Sequence, residues 1–421
     1  MPRAPRRALQ GRTPRSRDTP PGCPPPPTAQ CWAPPPPRPP RRTLAIHAGA
    51  PPREPGAPVV PPVVQSATFF GGLPDDPHEL RYNRYGNNPT QVSLAHKLAA
   101  LEGAEAALAL SSGMAAISLV LLALARQGDH VLSSSLLYGA TRTFMEKELP
   151  RRGVEVSFVD PRSPRSWRHA IRPSTRALYL EVPVNPTLRI PDPTPVGQLG
   201  LDRGIPLVVD ATFATPMNLR PLEHGADVVV HSATKYMGGH SDLTAGVVAG
   251  ARPLVDEVTA LMHLYGSAID PHTAWLLDRG LRTLPVRMEA HNRGATELAR
   301  RLQGVPGIAE VIHPSLPEHP DHALASELMD GPGGMLGVVL EGGDRVAEEV
   351  VSRLALMAVA PSLGGVETLV SLPHLTSHRA MSQAAREESG IPSGFIRISV
   401  GLEEPADLEA DIRQALASRG G

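Results

Sequence analysis

A chain of 421 residues is long enough for two domains, and 41 % hydrophobic with 20 % charged residues is an ordinary globular composition. No apolar run reaches the length of a bilayer span, and the formal charge of −1 gives no overall basic field, so neither a membrane nor a nucleic acid is expected as partner. Both cysteines, Cys23 and Cys31, lie in the first 42 residues, which excludes a disulfide, a thiolate metal site and a cysteine nucleophile from the rest and suits a cytoplasmic protein.

Residues 1–42 carry nine Arg against one Asp, a charge of +8, among runs such as WAPPPPRPPRR. Such a segment buries too little apolar surface to offset its ordering entropy, so it is expected to be a disordered tail. Three uses compete for it: a dispensable extension, an arginine-rich arm for a nucleic acid or a membrane surface, and a targeting peptide. Its proline density opposes the helix that a targeting peptide needs. An N-terminal arm is expected over 43–89.

From residue 90 the pattern alternates. TQVSLAHKLAALEGA has apolar residues at helical spacing, EAALAL is a short apolar run, and AAISLVLLALARQGD is an apolar helix with a glycine stop. HVLSSSLL, VEVSFVD, RALYLEV, IPLVVD, ADVVVHSA and TAGVVAG read as strands, with helices ATRTFMEKELPRRG and TPVGQLGLDRG between them. Strands alternating with helices predict an α/β domain over 90–285 with a mostly parallel sheet, and runs such as LYLEV and DVVV suit strands buried on both faces. RMEAHNRGATELARRLQ, GVVLEGG, AEEVVSRLAL and FIRISVG then predict a smaller α+β domain over 286–421.

In open α/β sheets ligands bind beyond the carboxyl ends of the strands. Polar and small residues gather at those ends: Ser111, Ser112 and Gly113, then Tyr138, Asn185, Asp210, and finally Ser232, Thr234 and Lys235 in HSATKYMGGH. The chain has 41 Lys+Arg, of which three are lysine (Lys97, Lys147, Lys235) and 38 (41 − 3) arginine. A lysine kept at a strand end in such a chain points to imine chemistry, because arginine holds its proton too tightly. SSGMAA opens a helix whose free N–H groups suit a phosphate, with Ser232 and Thr234 as further donors. Pyridoxal phosphate has the aldehyde and the phosphate, and Asp210 offers a carboxylate for its ring nitrogen, a pairing worth about 5 kcal/mol at 3 Å and an effective dielectric near 20. Plainer readings stand beside these: a solvated lysine, an Asp210 that caps a helix, an SSGM that does the same. His231 and His240 lack companion ligands and read as structural histidines.

These residues fall within motifs that resemble a known family. TLAIHAG, RYGNNPT, SSGMAA, LYGAT, EVPVNPT, VVDATFATP, HSATKYMGGHSD, RGLRTLPVRM, PSLGGVETL and IRISVGLE together resemble the trans-sulfuration (Cys/Met metabolism) pyridoxal-phosphate enzymes, over residues 43–412. The family holds cystathionine γ-synthases and γ-lyases, methionine γ-lyases and homoserine sulfhydrylases. The resemblance implies the aspartate aminotransferase-like fold (fold type I) and γ-elimination or γ-replacement on a sulfur amino acid or activated homoserine, of the cystathionine γ-synthase or γ-lyase type. Methionine γ-lyase or O-acetylhomoserine sulfhydrylase activity is the alternative; an aminotransferase and a non-catalytic interaction protein rank lower.

By the same resemblance Lys235 carries the cofactor, Asp210 holds the ring nitrogen, and Tyr138 stacks on the ring as a catalytic residue. The Gly113 and Met114 amides, with Ser232 and Thr234, cradle the phosphate. Asn185 lies near the cofactor's phenolic oxygen and the substrate carboxylate, which Arg397 clamps with Ser362. Tyr82 and Arg84 reach a neighbouring subunit's phosphate, which implies a homotetramer with active sites shared across a dimer interface. The chain departs from the family in four places. Three residues, rather than two, separate Arg84 from Asn88. Ala211 replaces a common Asn, Ala140 stands where methionine γ-lyases carry Cys, and Pro361 stands where γ-synthases and γ-lyases often have Glu.

Overall fold

The computed structural model describes residues 39–71, 80–376, 379 and 381–417. The expected tail thus lies almost wholly outside the described residues; Arg41 and Arg42, at its predicted end, open the helix α1, Arg41–His47.

Seven strands build the larger sheet: β1 Ala106–Leu110, β2 His130–Ser134, β3 Glu155–Val159, β4 Thr175–Glu181, β5 Leu207–Asp210, β6 Val228–Ser232 and β7 Gly246–Gly250. They run in the order β1-β7-β6-β5-β4-β2-β3. β7 is antiparallel to both neighbours, and every other pairing is parallel. Successive side chains point to opposite faces, so Val208 and Val230 pack toward one helical layer while Val209 and Val229 pack toward the other. That double burial is why these strands read as continuous apolar runs.

Two helix starts position the site. α2, Pro89–Glu102, opens with a capping box: the Asn88 side chain accepts from the Thr90 amide at 2.8 Å and the Gln91 side chain accepts from the Asn88 amide at 3.1 Å. The extra residue before Asn88 is absorbed by a 3₁₀ turn, Asn83–Tyr85, that Gly86 closes at φ +70°, a left-handed conformation glycine adopts without strain. Asn87 then bonds back to the Tyr82 amide and the Leu80 carbonyl. α3, Gly113–Leu124, starts after β1, with Ser112 Oγ accepting from the Ala115 amide at 3.1 Å.

The smaller sheet comprises β8 Ile308–Ile312, β9 Met335–Leu340, β10 Ala358–Val359, β11 Leu369–Ser371 and β12 Phe395–Ser399, in the order β10-β11-β12-β9-β8. Helices Gly343–Val351 and Pro405–Ala417 pack into its apolar core. A single helix, Pro271–Leu302, serves both halves of the chain. Its Leu277, Leu281 and Leu284 join the core beside the larger sheet, and its Ala295, Leu298 and Leu302 join that of the smaller. The expected boundary at 285/286 therefore falls inside a continuous helix. Pro285 does not end it, because packing on both sides offsets the lost hydrogen bond. Among the described residues no helix is long and apolar enough to cross a membrane.

Candidate active site

One cavity of about 580 Å³ opens at the carboxyl ends of β1, β2, β4, β5 and β6, with the smaller sheet closing its far wall. Ten of the sequence-predicted residues line it: Gly113, Met114, Tyr138, Asn185, Asp210, Ser232, Thr234, Lys235, Ser362 and Arg397. Tyr82 and Arg84 do not. The Arg84 guanidinium lies 5.2 Å from the Tyr85 ring centre and 5.7 Å from that of Tyr82, and donates to the His263 carbonyl.

Lys235 follows β6 and projects to the cavity, where its Nζ donates to Ser362 Oγ at 2.8 Å. Burial, and then the nearby charge of Arg397, bring the amine down from its ordinary 10.5 to about 8. Ser362 stands at φ +93°, a strained conformation for a residue with a side chain. It is held there from two directions: its hydroxyl takes the lysine, and its carbonyl accepts from Arg397 Nη2 at 2.9 Å. Arg397, in β12, also donates from Nη1 to Asn185 Oδ1 at 3.0 Å, while its Nε is buried with no partner among the described residues. Burial lowers this guanidinium to about 10.

Asp210 ends β5 and is buried. Its Oδ1 accepts from the Thr212 amide at 3.0 Å and from Thr212 Oγ1 at 2.5 Å. Burial raises its carboxyl, and the two Thr212 bonds oppose that rise. Glu181 lies opposite Asp210 in the strand register. Burial, and then the charge of Asp210, push the Glu181 carboxyl up to about 8. Two neighbouring carboxyls out of water do not both ionise readily, and the Asn185 and Tyr138 amides that bond Glu181 oppose its rise by favouring the ionised form.

Ser232 ends β6 against the first turn of α3. A Cβ built on Gly113 would stand 2.6 Å from Ser232 Cβ and 2.8 Å from its Oγ, so this close approach requires glycine. Thr234 Oγ1 is tied to Ala245, donating to its carbonyl at 3.2 Å and accepting from its amide at 3.0 Å. The two histidines of the segment have local partners: His231 Nε2 pairs with Glu102 Oε1 at 2.7 Å, and His240 Nδ1 with the Gly238 carbonyl at 2.9 Å.

The donor set fits pyridoxal phosphate. The first-turn amides of α3 at Gly113 and Met114 line the cavity together with Ser232 and Thr234, a donor set that suits a phosphate. Asp210 presents a carboxylate and Lys235 an amine that loses its proton near neutrality. Sequence reading missed three contributors. Glu181 hides as one polar letter in an apolar strand. Thr212 bridges Asp210 Oδ1 to the Ser232 amide. Arg287, within RGLRTLPVRM, donates to the Tyr236 carbonyl at 2.6 Å and so braces the backbone just past Lys235.

Comparison with known proteins shows the family. A family model described as Cys/Met metabolism PLP-dependent enzyme matches residues 42–417. L-methionine gamma-lyase of Pseudomonas putida is 40 % identical over 384 residues, covering 89 % of this chain and 96 % of that protein. Cystathionine gamma-lyase of Bacillus subtilis is 40 % identical over 375 residues, covering 89 % and 98 %. The crystal structure of metB from Corynebacterium glutamicum matches with a TM-score of 0.85 at 36 % identity, covering 90 % of this chain and 98 % of that one. The chain belongs to the Cys/Met metabolism enzymes, which depend on pyridoxal phosphate and act on sulfur amino acids.

Proposed function

We propose that this enzyme catalyses γ-elimination or γ-replacement on an amino acid with a sulfur or activated-oxygen substituent at Cγ, in the manner of a cystathionine γ-lyase or γ-synthase. The observation that carries the reading is the chain of contacts Lys235–Ser362–Arg397–Asn185, which sets a weakly basic amine beside a guanidinium with bonding capacity to spare. A guanidinium fork suits a substrate carboxylate, and a carboxylate held there leaves its α-carbon near Lys235.

Lys235 would hold the cofactor covalently, Asp210 would keep its ring nitrogen protonated, and Tyr138 would face its ring. The Gly113 and Met114 amides would hold the phosphate with Ser232 and Thr234. When bound, pyridoxal phosphate supplies the electron sink for charge at the substrate α-carbon. Lys235 Nζ, once free, would take the proton from Cα, hand it on to the electron sink and, neutral again, take a second proton from Cβ, so that the γ-substituent leaves with its bonding pair. Arg397, Asn185 and Ser362 keep the carboxylate fixed throughout. Tyr82 and Arg84, turned away from their own cavity, serve the site of a neighbouring subunit in a cytoplasmic homotetramer.

A second reading, methionine as the γ-substrate, draws on Pro361, which lines the cavity where related enzymes that handle cystathionine often carry Glu, and is opposed by Ala140, which stands where methionine γ-lyases carry Cys. Supplying cystathionine, activated homoserine with cysteine, and methionine in separate reactions distinguishes the readings by product. Lys235→Ala is expected to abolish covalent cofactor and turnover together; a borohydride-stable adduct persisting in that variant sinks the assignment.

A further inference from the structure

We infer that Glu181 is a positioning residue, whose carboxyl ties the backbone of Tyr138 to that of Asn185 and so sets the aromatic ring and the carboxylate clamp relative to one another. The inference rests on the proposed roles of Tyr138 and Asn185. Glu181 is the last residue of β4 and is 4 % exposed. Its Oε1 accepts from the Asn185 amide at 2.7 Å, and its Oε2 accepts from the Tyr138 amide at 2.8 Å. These amides belong to two separate loops, one after β2 and one after β4. Tyr138 opens a short helix, Gly139–Thr143, that has no side-chain cap of its own. Asn185 Oδ1 in turn accepts from Arg397, which bonds the Ser362 carbonyl, and Ser362 Oγ takes Lys235. One carboxyl therefore begins a connected path that passes the clamp and ends at the amine.

The chemistry of the task explains the residue type. Two backbone N–H groups converge on one side chain, which must offer an acceptor lone pair on each of two oxygens, as a carboxyl group does. Glutamine keeps the shape but sets an NH₂ donor against one of the amides. Aspartate keeps both oxygens but withdraws them by one methylene. Either change frees one loop from the other at a side chain that bonds neither Lys235 nor the α3 start.

The test uses the full chain loaded with pyridoxal phosphate. Glu181→Gln is expected to retain covalent cofactor, to change the circular dichroism of the bound cofactor as the Tyr138 ring shifts, and to raise KM for the amino acid by about tenfold with a smaller fall in kcat, the size expected for one lost buried acceptor. Glu181→Asp is expected to shift both readouts in the same direction. An unchanged cofactor spectrum with unchanged KM in a folded Glu181→Gln enzyme overturns the inference. Failure of both variants to fold also overturns it, by assigning Glu181 to stability alone. The underlying site reading fails separately, through covalent cofactor surviving in Lys235→Ala.

Discussion

Lys235 is useful because of where its charge would have to sit. Burial and Arg397 both disfavour the ammonium, so the amine of the cofactor-free protein titrates near 8 rather than at 10.5. Capture of pyridoxal phosphate needs the neutral amine; its rate is expected to rise about tenfold per pH unit below 8 and to level off above it, as stopped-flow absorbance would follow. The sign for stability follows from proton binding. Between about 8 and 10.5 the unfolded chain holds the lysine proton and the folded chain has released it, so this group adds stability as pH rises through that window and nothing further above it. A rate with no break near 8 would refute the assignment. Thr212 acts one bond further out, donating to Asp210 Oδ1 and accepting from the Ser232 amide. Thr212→Val removes both contacts; cofactor affinity is expected to fall by about 1–3 kcal/mol, measured by titration of the cofactor-free protein.

At the scale of elements, the α3 start and the end of β6 are packed too closely for a side chain at Gly113. Gly113→Ala is expected to push Ser232 away and weaken cofactor binding while the far-ultraviolet spectrum stays native; unaltered affinity would show that the contact yields freely. The larger sheet was legible in the sequence because double burial leaves apolar runs and ends them with polar residues. The candidate lysine and aspartate were legible for the same reason, as polar letters where such runs stop. Glu181 was not, because its role depends on an amide 43 residues earlier in the chain. Nor was the continuity of helix Pro271–Leu302, in which Pro285 reads locally as a break and tertiary packing overrides it. The turn that absorbs the extra residue before Asn88 depends on pairings of Asn87 that spacing alone does not reveal.

At the scale of the whole molecule, that long helix belongs to both apolar cores, and a buried ion pair fastens it to α2. Lys97 Nζ lies 2.7 Å from Asp278 Oδ1, both groups out of solvent, with Arg282 3.1 Å from the second oxygen. Removing one partner strands the other's charge, so Lys97→Met is expected to cost about 3 kcal/mol and lower the melting temperature, with turnover per folded molecule unchanged. A variant that melts like the wild type would show that Arg282 alone satisfies Asp278. The placement of the three lysines also bears on labelling. Lys97 is sealed in the interior, Lys147 is exposed, and Lys235 opens into the cavity. To a reagent that seeks side-chain amines, the folded surface is therefore almost blank. After reductive trapping of the folded enzyme and digestion, mass spectrometry would have to distinguish just two reachable lysine peptides, which makes site occupancy a quantity that can be counted directly.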